Sequence, residues 1–214
     1  MRPALRLRAS LARAFRIPTF TELYYHDPAN LGSPDVRAEH GWSFDAGADL
    51  SHRGWTLSVT PFRRWDTDVI DWVKVDAFDL WRTTNVRDVT STGIEGRLTR
   101  RWQSVFFQMA FTGLKVDAPV LSNLFSKYVN EYARHSTSGS LGLPLGGRFR
   151  FVLNVDHRHR LDGQDYSLAS ARVSRQIQHL DVFVSGTNLF NENYHEIVGV
   201  AMPGRWVMAG VTVR

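Results

Sequence analysis

The 214-residue chain contains no cysteine, which excludes a disulfide framework and a thiolate metal site. No stretch approaches 18 consecutive apolar residues, so no segment reads as a transmembrane helix. The opening residues, MRPALRLRASLARAF, carry arginine but lack the apolar centre of a secretory signal. For an exported protein, Met1 is then not the biological start. Serines are many, yet none lies in G-x-S-x-G and no base is placed by spacing. There is no glycine-rich phosphate loop, and nothing suggests paired catalytic carboxylates at Glu22 and Glu39. The expectation is a protein that is not an enzyme, with no catalytic residue, cofactor or metal site.

Lysine is scarce as well. The net charge is +5 and the pI is about 9.9, but only Lys74, Lys115 and Lys127 are lysine; the other basic residues are arginine. A basic balance points to nucleic acid or an anionic membrane. The arginines are spread singly rather than clustered, which favours a scattered solvated face or an arginine-lined interior. Nucleic acid is not an expected partner. With 43% hydrophobic and 22% charged residues, the chain is not a disordered tail.

What the sequence has is a period of two. Leu5, Leu7, Ala9 and Leu11 alternate with Arg6, Arg8, Ser10 and Ala12. Trp42, Phe44, Ala46, Ala48 and Leu50 do so with Ser43, Asp45, Gly47 and Asp49. Val105, Phe107, Met109 and Phe111 share one parity, as do Phe149, Phe151, Leu153 and Val155, and finally Val207, Ala209, Val211 and Val213. No comparable stretch keeps a helical period. Segments of about ten alternating residues suit a tilted strand crossing a bilayer. Strands of soluble sandwiches are shorter, about five or six residues. The mean hydropathy of -0.26 is compatible with this, because alternating strands average out near neutral.

Tryptophans 55, 65, 72, 81, 102 and 206 sit near segment ends, as in an interfacial girdle. Ten strands are expected, near 4–15, 38–50, 55–69, 83–99, 104–115, 132–143, 147–156, 166–175, 180–189 and 205–214. Short turns at 51–54, 100–103, 143–147 and 176–179 alternate with longer polar stretches at 17–37, 70–82, 115–131, 157–165 and 190–204. Short turns on one rim and long loops on the other are the outer-membrane pattern, with the C-terminus on the periplasmic side.

Two stretches are more specific. RASLARAFRIPTFTELYY (Arg8 to Tyr25) is followed by GSPDVRAE (Gly32 to Glu39). NLFNENYHEIVGVAMPGR (Asn188 to Arg205) precedes the last strand. Together they resemble the C-terminal half of the barrel of TonB-dependent outer-membrane receptors. In that family RAS-x-x-x-x-F-R-x-P leads into a loop with E-L-Y, and N-L-F-N-x-x-Y and P-G-R frame the last hairpin. Thr84-Asn-Val ahead of Ser91-Thr-Gly-Ile-Glu95 also fits. Ser33 stands for the usual Asn, and Ala38 for the usual Pro. Proline at position 18 removes a ladder donor where pairing must stop. Asn188 and Asn191 are expected to hold a turn through local backbone bonds, and Gly204 to supply a positive φ.

The resemblance implies an all-β fold, an antiparallel transmembrane β-barrel of which residues 1–214 are about ten of 22 strands, without the plug. It implies residence in the outer membrane of a Gram-negative bacterium, with outer-membrane lipid as partner. It further implies TonB-energised uptake of a scarce nutrient, most often a ferric siderophore, with the TonB complex engaged through an N-terminal region outside these residues. The alternatives are a self-contained small barrel, acting as pore or adhesion module, and more distantly a basic soluble β-protein that binds nucleic acid. Barrels of this kind end on Phe or Trp, and a residue 215 would share the apolar parity. The natural chain is therefore expected to end one residue beyond Arg214, or to have lost that signal.

Tyr24, Tyr25 and His26 fall in the first long loop, where the family's loops meet ligand; aromatic side chains give large contact area at low entropy cost. Trp72 and Trp81 flank an acidic stretch of Asp66, Asp68, Asp71, Asp76 and Asp79. These five aromatic and imidazole residues are the ligand-contact candidates, against ordinary loop solvation. His157 and His159 share a strand face, but no third ligand stands at fixed spacing, and loop-tip histidines are the favoured reading. Arg6, Arg8, Arg97, Arg148, Arg150 and Arg172 fall on the polar parity, with Asp45, Asp49, Glu95 and Asp156 as expected partners on the same wall.

Overall fold

The computed structural model describes residues 3–117, 124–127, 132–196 and 200–213. In chain order the elements are β1 (Ala4–Arg16), α1 (Phe20–Tyr24), β2 (Asn30–Leu31), β3 (Glu39–His52), β4 (Trp55–Lys74), β5 (Trp81–Trp102), β6 (Val105–Asp117), β7 (Phe125–Ser126), β8 (Ala133–Pro144), β9 (Phe149–Arg160), β10 (Asp165–Ile177), β11 (Leu180–Thr187) and β12 (Trp206–Val213). The long strands pair in the order β1-β3-β4-β5-β6-β8-β9-β10-β11-β12, each antiparallel to its neighbour. β2 lies parallel to β5, and β7 pairs with β4. Among the described residues β1 and β12 do not pair with each other, so the sheet is open with two edges.

The ten long strands are those the alternation marks out, and the register explains why. Arg8 opposes Gly47, Asp49 opposes Ser58, and Thr60 opposes Glu95, so one parity forms a continuous polar face. The other carries Leu7 beside Ala48, Leu50 beside Leu57, and Val184 beside Ala209. Large apolar side chains there stay exposed: Leu7 is 73% accessible and Val211 58%. A soluble monomer does not leave so large an apolar patch open to water. A bilayer supplies the missing solvent.

The two ends of the strands differ. At one end the hairpins are tight, joined by Arg53-Gly54, Gln103-Ser104 and Gln178-His179. Arg53, Gln103 and Gln178 take φ of 49°, 52° and 52°, the primed-turn geometry whose twist matches the flanking strands. At the other end lie the long connections.

Several expectations need correction there. Residues 70–82 and 157–165 do not form loops of that length: β4 runs on to Lys74, β5 begins at Trp81, and β9 reaches Arg160. A register shift between Asp66 and Val69, with Asp68 at φ 56°, interrupts the alternation where β4 rises beyond it. Such a bulge bends a strand and re-aims its side chains. Arg148 sits in a turn at φ 64° rather than on the polar face. Gly204 is absent from the positive-φ positions, whereas Asn188 and Asn191 occupy them. A Cβ on Gly204 would stand 2.9 Å from Asn191 Oδ1, so close approach is what requires glycine. Residues 118–123, 128–131 and 197–199 of the expected loops, and Arg214, lie outside the described residues.

Candidate ligand-facing rim

The long-loop end begins with a helix that its own sequence caps. Thr19 accepts from the Glu22 N–H at 3.2 Å, and the Glu22 carboxylate accepts from the Thr19 N–H at 2.7 Å, a reciprocal capping box. Pro18 sits just before, where β1 has ended. Arg16 then ties three elements together: its guanidinium meets Glu22 at 2.9 Å and Glu39 at 2.7 Å. Glu39 also accepts from the Ile70 N–H at 2.7 Å. Burial opposes ionisation of Glu22, but the bonds from Arg16 and Thr19 outweigh it and hold the carboxyl below its usual range.

The rest of the first loop is equally pinned. Thr83 donates to the Glu22 carbonyl at 2.6 Å. Gly32 donates to the Tyr25 carbonyl at 2.7 Å, and a Cβ there would meet Glu22 O and Tyr24 N at 2.9 Å. Asp27 accepts from the N–H groups of Ala29 and Asn30. The Asn85 amide clamps both the N–H and carbonyl of Arg37. The motif residues therefore build a scaffold. What that scaffold presents is aromatic: Tyr24 is 58% accessible and packs on Phe20 at 5.0 Å, and Tyr25 donates to Asp27 at 2.9 Å. His26 is exposed and bridges Leu31.

Trp72 and Trp81 stand on the β4–β5 ribbon in a different setting. Trp72 is only 6% accessible, packed beside buried Ile70, Asp71 and Val73. Lys127 lies over both rings, at 5.8 and 5.7 Å, and Lys74 lies over Trp81 at 4.8 Å. Each acidic residue of this stretch has work. Asp66 pairs with Arg64 at 2.7 Å, Asp68 with Arg37, and Asp71 with the Ser126 hydroxyl. Asp76 accepts from the Phe78 and Asp79 N–H groups, forming the hairpin tip. Phe78, at that tip, is 99% accessible. Neither Phe20 nor Phe78 was among the sequence candidates; the available signal was a lone large apolar residue within a polar turn.

The other half of the rim is held by the β9–β10 hairpin and the segment before β12. Asp162 meets Arg160 at 3.4 Å and His195 at 3.1 Å, and Tyr166 packs on Tyr194 at 4.8 Å. Asn188 donates to the Glu192 and Pro203 carbonyls at 2.9 and 3.2 Å and accepts from the Glu192 N–H at 2.8 Å. Asn191 accepts from the Arg205 N–H at 2.9 Å. The two asparagines of N-L-F-N thus knot the last hairpin. His157 and His159 both face Asp165, at 3.3 and 3.8 Å. Among the described residues no three His, Cys, Asp or Glu side chains come together to hold a metal ion.

Below the rim part of the polar face pairs its charges, while among the described residues the expected partners Arg6, Arg97, Arg150, Glu95 and Asp156 form no ion pair. Arg8 reaches Asp49 at 3.5 Å, Asp45 at 4.0 Å and Thr60 at 2.6 Å, and Arg172 pairs with Asp181 at 3.5 Å. A cleft of about 330 Å³ opens on this face between Arg8, Thr60, Glu95, Arg97 and Thr112.

An antiparallel wall with one apolar and one polar face, tight turns at one end and structured loops at the other, is the wall of a transmembrane β-barrel. The chain belongs to the TonB-dependent receptor-like β-barrel family, whose model matches residues 1–192. Solved structures share its fold. The siderophore receptor PirA from Pseudomonas aeruginosa is 18% identical with a TM-score of 0.72, covering 98% of this chain and 36% of that one. The FrpB iron transporter from Neisseria meningitidis is 14% identical with a TM-score of 0.72, covering 97% and 36%. The copper transporter OprC is 15% identical with a TM-score of 0.75, covering 97% and 36%. This chain therefore spans little more than a third of those proteins. No curated protein matches it. The family and these neighbours are outer-membrane β-barrels.

Proposed function

We propose that this chain is the barrel wall and outer rim of an outer-membrane transporter, embedded in lipid and driven by the TonB complex through an N-terminal region outside these residues. Its ligand is a scarce, large nutrient, with a ferric siderophore as the favoured class; the names of several structural neighbours support that class, and OprC keeps other metal cargo in view. The observation that carries the reading is the exposed aromatic group of Phe20, Tyr24 and Tyr25, held on a rigid scaffold at the long-loop end. Flat rings on a pre-ordered platform bind without a large ordering cost. Trp72 and Trp81 act behind that platform, Trp81 as the more accessible of the two. The open edges at β1 and β12 pair with further strands of a longer barrel, because unpaired backbone in lipid costs several kcal/mol per group.

The test is uptake. Cells carrying the whole polypeptide, starved of iron, accumulate labelled ferric siderophore, and a Y24A/Y25A variant of equal abundance accumulates less at limiting ligand. Accumulation that is unchanged when the gene is deleted sinks the transport reading.

A further inference from the structure

Neighbouring arginines on β4 live in opposite circumstances. Arg64, on the polar face, bonds Asp66 at 2.7 Å. Arg63, on the apolar face, lies over the Trp65 ring at 5.3 Å and has no ion-pair partner among the described residues. Arg13, also on the apolar face, repeats this over Trp42 at 5.7 Å. Register makes the four residues one patch: Arg13 opposes Trp42, Trp42 opposes Trp65, and Arg63 opposes Phe44 one step below. The polar-face arginines nearest the patch are paired, Arg64 with Asp66 and Arg16 with two carboxylates. The lipid-facing ones are not.

Their depth is set by the strand. From Trp55, which carries Arg100 at 4.8 Å at the tight-turn end, to Trp65 is ten residues. At about 3.3 Å per residue and a tilt of about 40°, that is about 25 Å along the membrane normal, the height of an apolar band. Trp65 and Trp42 therefore sit at the headgroup level of the leaflet on the long-loop side. A guanidinium whose face rests on an indole keeps its N–H edge for a bidentate oxyanion. An unpaired cation at the edge of hydrocarbon needs such a counter-charge.

We propose that Arg13 and Arg63, seated on Trp42 and Trp65, form a docking site for the phosphate groups of an outer-leaflet lipid. The occupant is a phosphorylated glycolipid rather than free phosphate, because the patch continues downward into the apolar face through Leu11 and Phe44, both exposed, which would lie along acyl chains. Arg63 is on an internal strand of the sheet, so a further strand added beside β1 does not reach it. The proposal rests on the outer-membrane reading.

The experiment uses the whole polypeptide extracted from membranes in mild detergent, with retained lipid counted by native mass spectrometry. Only the fraction showing heat-dependent gel mobility, the folded barrel, is scored. With a bis-phosphorylated glycolipid as probe, R13A/R63A loses affinity by about fivefold per arginine, the equivalent of about 1 kcal/mol for each cation near a membrane surface. R13K/R63K, which keeps the charges but not the bidentate edges, binds more weakly than the parent and more tightly than R13A/R63A. R148A/R150A, which removes two charges away from the patch, leaves it unchanged. Equal binding of a dephosphorylated glycolipid, or unchanged binding by R13A/R63A, overturns the proposal; displacement by millimolar inorganic phosphate makes the occupant a free anion and overturns it too. Absence of the polypeptide from the outer-membrane fraction refutes the transport reading instead, whatever the detergent result.

Discussion

The two ends of these strands follow different rules. At the tight-turn end three connections are two residues and the fourth, 145–148, is four; each makes its own geometry and asks little of the rest of the chain. At the long-loop end Arg16, Glu22, Glu39, Thr83 and Asn85 join segments up to 61 residues apart. The turn end is built from local conformation; the loop end is built from exposed and half-buried polar contacts between segments distant in sequence. Local devices can be exchanged one at a time. A network of charged bonds fails when one member is lost, because its partners are left unsatisfied.

Substitutions can break that contrast or sharpen it. The largest effect is expected at Gly32, where a Cβ would stand 2.9–3.0 Å from the backbone of Glu22, Leu23 and Tyr24. Gly32→Val costs about 3 kcal/mol of local stability through overpacking, read as faster tryptic cleavage at Arg16 and Arg37 while heat-dependent gel mobility of the barrel persists. Arg16→Ala costs the rim about 2 kcal/mol, the scale of lost bonds to charged groups after allowance for its partial exposure. Hydrogen exchange at α1 rises and exchange at the tight turns does not. Acid acts in the same direction. Folding lowers the Glu22 pKa, so its contribution is complete above its ordinary value of 4.5 and is lost as pH falls through the folded value. Protease sensitivity of the first loop therefore appears below about pH 4.5, before the wall changes.

At the opposite end the sign reverses. Gln178 holds a φ of 52°, and Gln178→Gly stabilises by up to about 1 kcal/mol, since glycine adopts that region without strain; the melting midpoint should not fall. Smallest in stability is Tyr24→Ala, within about 0.5 kcal/mol for an exposed residue. Its effect is on ligand affinity. A drop in melting temperature without a drop in affinity would move Tyr24 from the binding surface into the scaffold.

The wall was legible in the sequence because a sheet between lipid and a polar interior imposes one parity on every strand, and β1, β3 and β12 obey it. The upper part of β4 and β5 was not. Beyond the bulge at Asp68, Ile70, Asp71, Trp72 and Val73 are all buried, so both parities face packed protein and the alternation disappears. The acidic stretch read as solvated loop for the same reason: its partners, Arg37, Arg64 and Ser126, come from the same strand and from two other segments. Tyr24, Tyr25 and His26 are exposed and Trp72 is buried, and exposed Phe20 and Phe78 were signalled only by a large apolar residue within a polar turn. The N-L-F-N motif was readable as a turn, but the division of labour was not: the asparagines take the left-handed backbone and the glycine makes room.

The β4–β5 ribbon has a practical consequence. Its ladder is bonded up to Val73 and Arg82, while residues 75–80 at its tip form mainly bonds among themselves and with Lys74. A foreign peptide spliced there would extend a mast rather than enter a wall. The tip is therefore a place to mount a tag or an epitope clear of the wall, with the bulge at Asp68 as the lowest point to which the graft could be felt.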